Sequence, residues 1–108
     1  MKLSVRGVLV AAITVMVEGK AIECKEVEVS DLTTGELFDA RSQAKADEYI
    51  AIKELAVKTT LIDSSENTYP LTYELLRDTS SSNFNKLQEL DQELQKKLSA
   101  ESLETLST

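Results

Sequence analysis

The chain of 108 residues has no histidine and no tryptophan, and only one cysteine, one proline and three glycines. Without histidine, the usual proton carrier near neutral pH is missing. With no imidazole and a single thiol, the common zinc ligand sets cannot be built from one copy. Cys24 has no internal disulfide partner, which suits a reducing cytosol. It lies between Ile22 and Val27 in a strand-like stretch, where a buried, inert thiol is expected. The glycines stand apart at Gly7, Gly19 and Gly35, so no glycine loop cradles a phosphate. Serine-nucleophile and zinc-protease motifs are equally missing. No enzymatic activity and no cofactor are expected.

Basic residues are also scarce, with 12 Lys and Arg against 19 Asp and Glu and a net charge of −7. Nucleic acid is therefore a poor partner, because phosphate binding needs clustered cations. A basic or neutral protein surface suits this charge better. The acidic groups around Glu23 to Glu28 and Glu89 to Glu93 read as solvated faces. No run reaches the ~20 apolar residues that cross a bilayer. The apolar stretch 8–17, preceded by Lys2 and Arg6, is short and leads into Glu18, Gly19 and Lys20 without a small-residue cleavage site. Ala21 to Cys24 fails as a lipoprotein site because Glu23 stands where a small residue is needed. The stretch reads as a strand of a soluble protein.

What is present is the composition of one globular domain, with 42% apolar residues. The expected fold is α+β, an N-terminal β-hairpin followed by three or four α-helices. The single domain is placed at residues 1–98, with the hairpin at about 8–29 and the helical part at about 33–98. Residues 99–108 are expected to be a frayed acidic tail. Residues 8–17 are rich in β-branched side chains, and Gly19 can supply the positive φ of a tight turn. Along residues 21–29 the apolar parity changes between Ile22/Cys24 and Val27/Val29. A bulge near Lys25 and Glu26 would restore one apolar face. The first strand is apolar on both faces, and its second face needs cover, from another subunit or from the fold itself.

Thr33 and Glu36 form a capping box at a helix start, with Leu37, Ala40 and Ala44 on one stripe. Asp47 can cap a second segment containing Tyr49, Ile50, Ile52, Leu55, Ala56 and Val57, although one continuous helix from 34 to about 59 stays open. Residues 63–68 are a polar loop closed by Pro70. Thr72 caps a short helix, with Leu71 and Leu76 as a hydrophobic staple. In the last helix, Phe84, Leu87, Leu90, Leu94 and Leu98 recur every three or four residues.

The order of these features resembles a known family. A strand ends at Val27-Glu-Val29 and is followed by Leu32, Thr33, Gly35, Asp39 and Ala40. After a middle helix come Pro70-Leu-Thr72, Leu75-Leu76, a serine-rich break, then Phe84, Leu87 and Gln88. Over residues 27–94 this is similar to the short tail assembly chaperones of Mu-like and related contractile-tailed phages. The apolar N-terminal stretch lies outside the similarity, and residues 59–69 are longer and more polar than the family's usual turn.

The resemblance implies a non-enzymatic factor that binds the tape measure protein and helps tail-tube subunits assemble around it. It implies a cytoplasmic location in the bacterial host and absence from the mature virion. A long helical partner with apolar stripes can be masked by amphipathic helices. The expected partner surface is therefore Phe84, Leu90, Leu94, Leu98 and Leu103, with Leu37 and Ile52 as groove lining. Leu87, on the same stripe, and Leu37 lean towards the core, and Leu98 and Leu103 towards a partner. Val8, Val10 and Met16 on the double-sided strand are the self-association candidates, giving a homo-oligomer. Two other readings remain open: a small structural tail or head-completion subunit joined through that strand, and a host-directed regulator carried by a mobile element.

Overall fold

The computed structural model describes residues 3–107, with side chains described through residue 100. Two long strands open the chain, β1 (Ser4–Val17) and β2 (Lys20–Ser30). Glu18 and Gly19 join them, both in the left-handed region at φ 50° and 80°. This two-residue turn has the twist that antiparallel strands require. Helices α1 (Thr34–Gln43) and α2 (Ile50–Lys58) follow, then short strands β3 (Thr59–Ile62) and β4 (Thr68–Pro70). A single-turn helix α3 (Tyr73–Asp78) leads into the long α4 (Ser81–Ser107). The class is α+β, with an antiparallel sheet in the order β1-β2-β3-β4 and four helices among the described residues. The backbone of α4 is continuous across residue 98, where the domain boundary was expected.

The hairpin is longer than residues 8–29 and carries a pronounced irregularity. Ladder pairs run from Ser4 opposite Ser30 to Val8 opposite Glu26, then resume at Ile13 opposite Cys24. Five steps along β1 thus meet two along β2, leaving three residues extra on β1. Parity does change between Cys24 and Val27, as the apolar pattern required, but β1 makes the detour. Leu9 and Ile13 both reach the core at its ends.

Asn83, fully buried in the first turn of α4, holds the detour in place. The Ala11 amide donates to Asn83 Oδ1 at 3.0 Å, and Asn83 Nδ2 donates to the Ala11 carbonyl at 2.9 Å. The same Nδ2 donates to Thr79 Oγ1 at 2.9 Å. The side-chain amide thus supplies the donor and acceptor that a neighbouring strand would supply. From there α4 runs back along β1. Leu90 comes so close to Gly7 that an added Cβ would lie 2.6 Å from a Leu90 methyl. Farther along, Lys97 Nζ reaches the Ser4 carbonyl at 3.4 Å. One face of the sheet is therefore roofed by α4, with Leu87, Leu90 and Leu94 packed on Val5, Leu9, Val27 and Val29 in one core.

The helix starts follow the local sequence. In the capping box, the Thr33 amide donates to Glu36 at 2.9 Å and the Glu36 amide to Thr33 Oγ1 at 3.1 Å. Thr72 Oγ1 accepts from the Leu75 amide at 3.2 Å, and Leu71 and Leu76 are both buried. The middle region is two helices, with an extended break at Ala44 and Tyr49. Asp47 is not the cap of the second. Tyr49 occupies that position, and its amide donates to the Tyr73 hydroxyl at 2.9 Å.

The polar loop at 63–68 is the turn of a β3–β4 hairpin, a pairing that the sequence reading missed. Asp63 organises it by accepting from the Ser65 amide, the Asn67 amide and the Tyr69 hydroxyl at 2.8 to 2.9 Å. Partial burial pushes the Asp63 carboxyl up, but hydrogen bonds from Asn67, Tyr69 and Ser65 outweigh it and hold the group below its ordinary value of 3.8.

Two tests follow from these contacts. Replacing the clasp, Asn83→Ala, should lower unfolding free energy by about 2–3 kcal/mol in urea titration, since two backbone partners and a hydroxyl lose their bonds. A change below about 0.5 kcal/mol would mean that the bulge holds itself. For Asp63 the sign follows from its lowered value. Its stabilising effect over Asp63→Asn should be complete above pH 3.8 and vanish as pH falls through the lowered value. Denaturation of both proteins across pH 2–7 reads this directly.

Candidate partner-binding surfaces

The leucine stripe of α4 faces inward. Leu90 is 2% and Leu94 0% exposed, so both belong to the core and neither can meet a partner while the fold is intact. Their expected role in partner binding is corrected by position, because α4 is laid along β1 with this stripe turned into the core. Phe84 and Leu98 are half-buried and pack against the core with one side open. Leu103 lies outside the residues whose side chains are described. Ile52, expected in a groove, is half-buried on the core side of α2.

A groove does exist, between α1, α2 and α4. Leu37, Ala51 and Leu55 line one wall and Phe84 and Gln88 the other, around a volume of roughly 230 Å³. Leu37 and Phe84 were both expected near a partner, and the fold brings them together from 47 positions apart in the chain. Two ion pairs border this groove. Lys58 binds Asp91 across the α2–α4 side, and Arg41 binds Glu54 across the α1–α2 side. Lys58 is the better covered of the two cations, with 13% of its side chain exposed, so the first pair is partly shielded from solvent.

Further apolar side chains of α1 and α2 stand exposed. Phe38 is 58% exposed, with the Arg41 guanidinium 5.5 Å from its ring centroid. Ile50 and Val57 are exposed on one side of α2, seven residues apart. Their signal was in the sequence: α2 has more apolar positions than one stripe can bury. Its Leu55 and Ala56 point inward, leaving Ile50 and Val57 outside.

The second surface is β1 itself. Val8, Val10 and Met16 are 54%, 62% and 66% exposed, so all three self-association candidates lie at the surface. Arg6, on the same face, donates to Glu26 at 2.6 Å and to Glu66 at 3.1 Å.

Cys24 is fully buried, and its burial and the nearby Asp63 charge push the thiol up, away from a reactive thiolate. Among the described residues no group of His, Cys, Asp and Glu is placed to hold a metal ion. No helix among them is long and apolar enough to cross a membrane. In comparisons with known proteins, no family model, curated protein or solved structure matches the chain.

Leu94→Asp should abolish cooperative unfolding or lower stability by at least about 3 kcal/mol, because an unpaired carboxylate enters the core. Val57→Asp, at a 42% exposed site, should stay within about 0.5 kcal/mol of wild type. Thermal melts by circular dichroism separate the two outcomes, and a folded, stable Leu94→Asp would return Leu94 to the list of free contact residues.

Proposed function

We propose that this protein is a non-enzymatic phage tail assembly chaperone that binds a helical segment of the tape measure protein and assists tail-tube assembly. The groove between α1, α2 and α4 is the observation that carries this reading. Two positions of the family-like pattern, Phe84 and Gln88, line it, and Leu37 lies on the wall opposite. Leu37, Leu55 and Phe84 beside the charged Glu54, Lys58 and Asp91 suit an amphipathic helix, which brings both an apolar stripe and flanking polar residues.

The energetics fit temporary masking. A fully buried leucine contributes roughly 1.5–3 kcal/mol, and association itself costs several kcal/mol. A few anchors in a shallow groove thus give reversible binding, which a chaperone displaced by tube subunits requires. On this reading the protein works in the host cytoplasm, meets the tail-tube protein during exchange, and is left out of the finished tail. The exposed strand β1 favours a second reading, a small structural subunit of the tail or head that self-associates and stays in the particle.

The test is co-expression with the tape measure protein, scored by its solubility and co-purification. Ala51 is exposed and lines the groove, so Ala51→Arg should block it without unfolding the chain. Rescue by wild type, with at least about tenfold less partner recovered by Ala51→Arg, is the expected result, equivalent to about 1.4 kcal/mol. Equal rescue by both would move the site off the groove. Failure of both, together with the protein's presence in purified tails, would replace the chaperone reading with the structural one.

A further inference from the structure

We propose that the free edge of β1 is a self-association surface, on which a second copy of this chain pairs strand to strand, antiparallel, about a twofold axis. Backbone direction along β1 defines what that edge offers. The Asp31 amide donates to the Leu3 carbonyl at 3.0 Å, so the groups of Leu3 face β2. Sides alternate along an antiparallel strand, which turns the amides and carbonyls of Ser4, Arg6 and Val8 away from β2. Lys97 reaching the Ser4 carbonyl from α4 agrees with that direction. Beyond the bulge, the turn at Glu18 and Gly19 makes Val17 and Lys20 the closing pair. The groups of Thr14 and Met16 then face outward as well. Apart from the Ser4 carbonyl, which Lys97 already occupies, both straight segments, 4–8 and 13–17, present donors and acceptors to a further strand.

The two edges of the sheet are unlike. At the far edge, β4 has three residues and ends in Pro70, which has no amide to offer. At the near edge, β1 has 14 residues and one charged side chain, Arg6. Long edges with so few charged side chains are the ones prone to pair. Apolar Val8, Val10 and Met16 stand exposed beside it.

Charge and symmetry select a second copy as the occupant. The chain carries −7, so most approaches of two copies set acid against acid. β1 has no acidic side chain, and its one cation is already held by Glu26 and Glu66. A twofold axis matches each donor to an acceptor and lays one apolar row beside the other. At about 3.3 Å per residue the two five-residue segments offer roughly 33 Å of edge; with about 10 Å of depth they bury on the order of 330 Å² per copy. The total, about 650 Å², is below most specific interfaces, so the expected complex is a weak, reversible dimer that forms towards high micromolar concentration. β1 contributes no residue to the α1–α2–α4 groove, so this pairing holds whatever the groove binds.

The test combines sedimentation equilibrium of the full chain, from low to high micromolar, with amide hydrogen exchange by NMR. The mass should rise from one 11.9 kDa chain towards two. In the dimer, the amides of Arg6, Val8, Thr14 and Met16 should exchange at least about tenfold more slowly than in the monomer. Val10→Lys combined with Met16→Lys, at exposed sites, should keep the circular dichroism spectrum and remain monomeric. A wild type that is monomeric throughout would overturn the proposal. So would a dimer whose four edge amides still exchange freely, because another surface would then be in use. Protection that arises only when a tape measure fragment is added would assign the edge to that partner instead.

Discussion

The structure turns on one side-chain amide. β1 has three more residues than β2 can pair across the bulge, and an unpaired stretch of strand leaves backbone groups without partners. Asn83 answers that need with both atoms of its amide, giving Ala11 the donor and acceptor of a missing strand. The same contact fixes the start of α4 against β1. From that point the helix can only run back along the strand, with Leu90 over Gly7 and Lys97 at Ser4. Loss of this contact would release the bulge and the orientation of the helix together.

Once α4 is held there, the assignment of its apolar residues follows. A sheet with one covered face needs a continuous apolar lid, and Leu87, Leu90 and Leu94 provide it. Residues that look like a ready binding stripe in sequence therefore close the core. The surface left for partners arises where elements meet imperfectly, at the α1–α2–α4 groove and along the free edge of β1. These two sites differ in kind. The groove is lined by side chains, whereas the edge offers backbone groups, so on the two proposals each can be occupied without the other.

Local rules made much of the architecture legible. Thr33 with Glu36 and Thr72 before Leu75 mark helix starts through bonds between neighbours, and such bonds need no tertiary context. Glu18-Gly19 marks the hairpin for the same reason. The β3–β4 hairpin was missed because Thr59 to Ile62 continues the apolar spacing of α2, and only pairing with β2 turns it into strand. Two of the five expected partner residues went to the core, because periodicity reports that a helix has an apolar face and not what that face meets. The groove was half legible, through Leu37 and Phe84. Gln88 stood out only through the family-like pattern, and Ala51 carried no signal, since a small residue lines a groove only by placement.

By itself, the sequence determined the class of the fold, the absence of histidine chemistry, the acidic charge and the positions where several elements begin. Those properties rest on composition or on contacts within a few residues. Tertiary structure alone decided that the extra residues fall on β1, that Asn83 is a structural clasp, and that the leucine stripe is core. It also decided that a groove opens between three helices and that β1 has no neighbour on one side among the described residues. Each of these depends on residues distant in the chain competing for one face of one sheet, and no local pattern records which of them wins.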